Sequence, residues 1–331
     1  MTPEAGAPAA QAAHREKPPA RQQCADAVLM VRPSAFGYNL ETAATNAFQL
    51  REGPEVAGAA AAARAECEHL RRALESEGVS VCAVEDLSPP AKPDAVFPNN
   101  WVSFHADGTL VVYPMQSASR RPERRREIVE QVVRELDFRI ARELDLTHYE
   151  RDGVFLEGTG SLVLDHIERV AYACLSPRTH GEVVAHWSRE LGYEAITFTG
   201  TDRRGVPLYH TNVMMSIGAR FAVIASEAIA AADRERVLAR LQGSGREIIE
   251  ISHAEMAHFA GNVLELATWD EALGDAGVLV MSENARKSLR PEIYTQLSGC
   301  SDAVLAVPVP TIEQLGGGSV RCMLAEVFRH T

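Results

Sequence analysis

The stretch SLVLD (161–165), RVAYAC (169–174), HGEVVAHWSRE (180–190) and EAITF (194–198) decides how the chain is read. It spells strand, strand, helix, strand, with a further strand expected over 153–156. The same order recurs in both directions. Upstream, strands over Ala27–Arg32 and Val79–Val84 flank a helix over 57–77 that stops at Gly78. Strands over Trp101–Phe104 and Thr109–Tyr113 turn through residues 106–108, and a charged helix follows over Pro122–Leu136. Downstream come strand 221–225, helix 228–240, strand 246–250, strands 262–267 and 278–281, helix 283–296 and strand 302–306. Units of this kind about every 50–60 residues predict an α/β fold with a radial repeat. Periodicity alone equally allows an ordinary α/β sandwich.

The 331 residues carry a formal net charge of -12, with a pI near 5.4. No basic stripe is there to hold phosphates, so neither a nucleic acid nor an anionic membrane is expected as partner. No apolar run reaches membrane-spanning length. Residues 1–23 are Ala/Pro-rich, lack the apolar core of a secretory signal, and are expected to be a disordered tail. Residues 24–331 are then expected to form one catalytic domain. The six cysteines, at 24, 67, 82, 174, 300 and 322, contain no CxxC pair. They read as free thiols of a reducing cytosol, and their spacing speaks against a structural metal. A cytoplasmic protein is the expectation.

Three places carry chemistry. In Leu315-Gly316-Gly317-Gly318-Ser319-Val320-Arg321-Cys322 a glycine-rich loop delivers a thiol to the start of an apolar run. Alone, Cys322 reads first as a buried core thiol; the neighbouring Arg321, or a positioned histidine, would favour its reactive thiolate. His210 opens the apolar run Thr211-Asn212-Val213-Met214-Met215, and Glu157 stands in Leu156-Glu157-Gly158-Thr159-Gly160. The three make a nucleophile, a base and a group to orient the base. Their separation in sequence gives no proof of contact. Two other signals are set aside. His253 and His258 stand five apart and do not share a helix face, so that segment reads as a helix start. Gly316–Ser319 lacks the Lys of a phosphate loop.

Asp94-Ala95-Val96-Phe97-Pro98-Asn99-Asn100, Leu156–Gly160, His210-Thr211-Asn212 and the glycine-rich Cys322 stretch follow in that order. Together they resemble the guanidino-group-modifying (pentein) superfamily: arginine deiminases, dimethylarginine dimethylaminohydrolases and amidinotransferases. Among these the bacterial citrulline-utilisation hydrolases are most similar. The resemblance spans Val28 to Phe328 and implies a five-bladed pseudosymmetric α/β propeller of ββαβ units. It implies Cys322 as nucleophile through a covalent intermediate, His210 as general acid/base and Glu157 as its orienting carboxylate. Asp94 matches the position that holds the substrate's α-amino group, and Phe97 lies in the same motif. Arg178, in Leu175-Ser176-Pro177-Arg178-Thr179, and Arg121, in Ser119-Arg120-Arg121-Pro122-Glu123, match carboxylate-binding positions, a task suited to the planar guanidinium.

The sequence departs from the deiminases where it has Asn100 and Asn212 in place of two aspartates that clamp the guanidinium. A buried cation without counter-charge is costly. Asparagine offers an acceptor and donors suited to a neutral ureido group. The resemblance thus implies hydrolysis of citrulline, a small amino-acid substrate, to ornithine, carbon dioxide and ammonia, by an enzyme needing no cofactor and no metal; a homodimer is left open. One alternative is a deiminase, dimethylarginine hydrolase or amidinotransferase acting on a guanidino group; another is a non-catalytic binding protein of the same fold.

Overall fold

The computed structural model describes residues 23–49, 56–270 and 274–329. Fifteen strands are named among them: β1 (Ala27–Arg32), β2 (Ser80–Glu85), β3 (Val102–Phe104), β4 (Thr109–Val112), β5 (Arg142–Asp145), β6 (Val163–Asp165), β7 (Val170–Cys174), β8 (Glu194–Phe198), β9 (Met215–Ile217), β10 (Phe221–Ile224), β11 (Glu247–Glu250), β12 (Leu264–Asp270), β13 (Gly274–Ser282), β14 (Ala303–Val307) and β15 (Ala325–Val327). The longer helices are α1 (Val56–Ser76), α2 (Arg126–Leu136), α3 (Gly181–Leu191), α4 (Ala231–Gly243), α5 (Glu283–Ser288) and α6 (Pro291–Gly299).

One pairing scheme repeats. In β6–β7–α3–β8 the first two strands are antiparallel and the third returns parallel to the second through the helix. The same holds for β3–β4–α2–β5, for β9–β10–α4–β11 and for β12–β13–α5–α6–β14. The fifth unit joins the two ends of the chain: β15 is antiparallel to β1, and β2 returns parallel to β1 after α1. A parallel bridge from Val327 to Phe104 merges this unit with its neighbour into a six-stranded sheet. The other units remain three-stranded sheets, and none of the four sheets closes on itself among the described residues. The fold is thus mixed α/β, built from five ββαβ units.

The helices form for local reasons. In α3 the buried Val183, Val184, Trp187, Ser188 and Leu191 recur at helical spacing, and Gly192 ends it in the left-handed conformation at φ 70°. In α2, Ile128, Val129, Val132 and Leu136 do the same. Three expectations are corrected. Residues 153–156 are no strand; only Leu156 bridges, to Thr179, after a 3-10 turn over Thr147–Asp152. The helix expected from Pro122 begins at Arg126, because Ala118–Glu123, with Pro122 inside, winds as a 3-10 turn. The helix expected over 283–296 is two, because Pro291 cannot continue a helix begun before it. Of the expected tail, residues 1–22 lie outside the described residues, but Gln23 is buried and donates to the Leu164 carbonyl at 2.9 Å. No helix among the described residues is long and apolar enough to cross a membrane.

The repeat also sets where chemistry can sit. The connection before each unit's first strand carries a buried polar side chain or a thiol. Asn100 stands before β3, Glu157 before β6, His210 and Asn212 before β9, Asn262 before β12 and Cys322 before β15. Those residues are all buried.

Candidate active site

The connection before β15 is a 3-10 turn, Val320–Met323, entered from Gly317 at φ 61°, a backbone conformation that favours glycine. It turns Cys322 into a small cavity, lined also by Thr42, Asn46, Asp94, Phe97, Asn100, Arg120, Arg178, Tyr209, His210 and Gly316–Gly318. Segment 39–49 roofs it: Asn46 Nδ2 donates to the carbonyls of Gly316 and Gly317, and Gln49 to that of Leu315. A larger cleft, lined by Phe48, Arg203, His253 and Lys287 among others, has no cysteine, serine or threonine in its lining. The small cavity gathers the side chains that the sequence singles out.

The expected trio largely assembles. His210 Nε2 meets Glu157 Oε2 at 2.9 Å, and His210 and Cys322 line the same cavity. Burial by itself would raise the Glu157 carboxyl, but Arg178, then His210 and Arg120, hold it down at about 2. An ionised Glu157 accepts only, so Nε2 carries the imidazole proton and Nδ1 is left with its lone pair. Burial pushes His210 down to about 4, against the pull of Glu157 and with Arg178 and Arg120 reinforcing it. At neutral pH the imidazole is therefore a free base. Gly160 makes room for it: a Cβ there would stand 2.7 Å from His210 Nδ1 and 2.5 Å from Asn100 Nδ2.

Around the sulfur the side chains are amides. Asn212 Nδ2 lies 3.6 Å from Cys322 Sγ and Asn262 Nδ2 lies 3.3 Å from it. Arg321 is turned away, donating to the Leu324 carbonyl and to Glu326 at 2.9 Å, so the expected cation beside the thiol is not there. At the other end, Asp94 takes hydrogen bonds from Asn39 and Thr42 on Oδ2, while its buried Oδ1 has no partner. Phe97 packs against Gly316 and Gly318. Arg178 spans the roof and the base: Nη2 and Nε donate to Thr42 O and Thr45 Oγ1, and Nη1 reaches Glu157 at 3.4 Å.

Arg121, expected in the site, does not line the cavity; Arg120 does. The Arg121 guanidinium points outward to Met115 O and Glu150, and its side chain is one-third exposed. In a 3-10 turn successive side chains diverge by about a third of a revolution, so its neighbour faces inward. Arg120 is buried, pairs with both oxygens of Glu123 at 2.9 Å, and donates through Nη1 to Asn100 Oδ1 at 2.8 Å. Sequence reading also missed Asn262, Tyr209, Thr42 and Asn46. For Asn262 a signal existed: it stands just before the first strand of its unit, as Asn100, Asn212 and Cys322 do in theirs.

The model of the N,N-dimethylarginine dimethylhydrolase family, eukaryotic, matches residues 32–329. The chain belongs to that family. No curated protein matches it in sequence. Among solved structures it is similar to the N-terminal domain of ArgZ bound to substrate, an arginine dihydrolase from the ornithine-ammonia cycle in cyanobacteria, at 17% identity and TM-score 0.69, covering 92% of this chain and 98% of that one. AgrE, in a binary complex with L-arginine, is similar at 18% identity and TM-score 0.70, covering 92% of this chain and 40% of that one. A dimethylarginine dimethylaminohydrolase carrying an S-methyl-L-thiocitrulline adduct is similar at 17% and TM-score 0.61, covering 91% and 99%. At such identity these structures speak to the fold. Dimethylarginine hydrolase family membership places this chain in the pentein superfamily of guanidino-group-modifying enzymes and makes it a hydrolase acting on C–N bonds.

Proposed function

We propose that the enzyme hydrolyses the ureido group of citrulline, giving ornithine, carbon dioxide and ammonia. The observation that carries this reading is the hydrogen bond from Arg120 Nη1 to Asn100 Oδ1. Arginine has no acceptor, so the amide oxygen must face Arg120 and the amide nitrogen faces the other way. Asn100 gives one amide hydrogen to Asn99 Oδ1 at 3.1 Å and therefore offers the cavity the remaining N–H donor. A guanidinium, which is all donors, is repelled by it; a ureido carbonyl accepts from it. The other polar side chains at Cys322 Sγ are neutral amides as well. The ionised Glu157 carboxylate behind His210 is already taken up by His210 and Arg178, so a cation at that end would be desolvated with little counter-charge, at a cost of several kcal/mol. At the far end, the unpartnered Asp94 Oδ1 suits an α-ammonium and Arg178 an α-carboxylate, while Arg120 is taken up by Glu123 and Asn100.

In this reading Cys322 gives its proton to His210 Nδ1 and the thiolate attacks the ureido carbon. The C–N bond to the ornithine side chain breaks, and His210 returns the proton to the departing nitrogen. A carbamoyl thioester remains on Cys322. His210 then takes a proton from one water, whose oxygen displaces the sulfur; the carbamate released decays to carbon dioxide and ammonia. Six buried free thiols fit a reducing cytosol, and we read the five units as blades about one axis, with the five connections meeting at its end. The second reading is a guanidino substrate, arginine or a methylated arginine. The family description favours it, and L-arginine is the ligand of the AgrE complex. Citrulline and arginine assayed side by side for ornithine, citrulline and ammonia decide between them. Ornithine from citrulline, with little turnover of arginine, supports the ureido reading; faster turnover of arginine refutes it.

A further inference from the structure

We infer that Asn262 is a catalytic residue, the amide that holds the Cys322 sulfur as an aimed thiolate. The assignment rests on the nucleophile of the reading above but not on the identity of its substrate. Asn262 is fully buried and stands in the connection before β12, the place in its unit that Cys322 occupies before β15. Its Nδ2 donates to the Asn212 carbonyl at 2.9 Å and lies 3.3 Å from Cys322 Sγ, closer than its own Oδ1 at 3.6 Å. A carbonyl accepts only from the nitrogen, so the Asn212 backbone fixes which way the amide is turned. One hydrogen of the NH₂ is spent on that carbonyl and the other is free for the sulfur.

A thiolate accepts such a hydrogen bond far better than a neutral thiol does, because charge strengthens the bond. Asn212 Nδ2, at 3.6 Å, supplies a second and longer contact to the same atom. With Arg321 turned away toward Glu326, these amides are the polar side-chain groups hydrogen-bonded to the sulfur among the described residues. Held between two amides, the sulfur keeps one direction of attack into the cavity shared with His210. A purely structural Asn262, there only to tie β12 to the β9 connection, would leave the sulfur's reactivity alone.

The test uses Asn262→Ala and Asn262→Ser in the full chain, with thermal melts to establish folding. Cys322 is alkylated by iodoacetamide without substrate, followed by peptide mass spectrometry, near neutral pH and again in alkali. Near neutral pH both variants are expected to alkylate Cys322 at least about tenfold more slowly than wild type. The deficit should shrink in alkali, where solvent base removes the proton. In turnover, kcat should fall on the order of 10²-fold with KM little changed, as when a charge-stabilising donor is removed. Ser, which keeps one hydroxyl donor, should lose less than Ala; if Ala does not fold, Ser decides. Unchanged alkylation by a folded variant, or a deficit equal at both pH values, overturns the assignment. Should wild type turn over neither citrulline nor arginine, the substrate reading fails while the alkylation comparison still judges Asn262.

Discussion

Gly160→Ala tests the reacting end of the cavity with a single methyl group. The added Cβ would lie 2.5 Å from Asn100 Nδ2, 2.7 Å from His210 Nδ1 and 2.8 Å from His210 Cε1, where ordinary contact begins at 3.4 Å. Both side chains must therefore retreat by about 0.7–0.9 Å in a close-packed interior. The backbone itself is not strained, since Gly160 sits in the short helix Gly158–Ser161 without a positive φ. Overpacking costs about 1–3 kcal/mol, offset in part by a helix preference for Ala over Gly of about 1 kcal/mol. The variant should fold. Misplacement of catalytic groups by close to 1 Å costs on the order of 10²-fold in rate. Steady-state kcat and KM for citrulline, beside a circular-dichroism melt, measure both effects. A folded Gly160→Ala enzyme with wild-type kcat would refute the placement of His210 Nδ1 and the Asn100 amide at the reacting atoms.

Arg178→Ala and Asp94→Asn should each lower kcat/KM for citrulline by on the order of 2–5 kcal/mol and weaken discrimination against ureido compounds lacking the α-carboxylate or α-amino group; wild-type values in both would remove these residues from recognition. Asn100→Asp combined with Asn212→Asp, in a Cys322→Ser background, should strengthen arginine binding and weaken citrulline binding, because Arg120 can pair with the first new carboxylate while the second meets the cation. Calorimetry reads both, and tight arginine binding before the changes would sink the charge argument. His105 is buried, and burial pushes it down to about 4 from an ordinary 6.5. Below pH 6.5 the unfolded chain gains a proton that the folded chain refuses. Stability is thus full above 6.5 and falls toward 4, by up to about 1.4 kcal/mol per pH unit. Melts of wild type and His105→Gln from neutral to mildly acid pH should show the shallower loss in the variant; equal slopes would contradict it.

The repeat was legible because apolar runs, turn residues and helix spacing recur in the same order, and the pairings follow it unit by unit. Cys322, His210 and Glu157 were legible as residue types on connections before strands. What the sequence hid was phase and partnership. Arg120 and Arg121 are adjacent and alike, and only the 3-10 winding of Ala118–Glu123 turns one in and the other out. β5 carries the charged Arg142-Glu143-Leu144-Asp145 at a sheet edge, where solvent replaces the apolar signal. The unpartnered oxygen of Asp94 and the orientation of the Asn100 amide are properties of contacts far apart in sequence. Asn262 looked like any polar residue until its unit was aligned with the others.

The most direct measurement is the intact mass of the enzyme quenched during turnover with citrulline, with the adduct mapped to its residue. A single carbamoyl group on Cys322, absent from Cys322→Ser and discharged as ornithine accumulates, is the predicted result. An amidino group formed from arginine, with no adduct from citrulline, would contradict it.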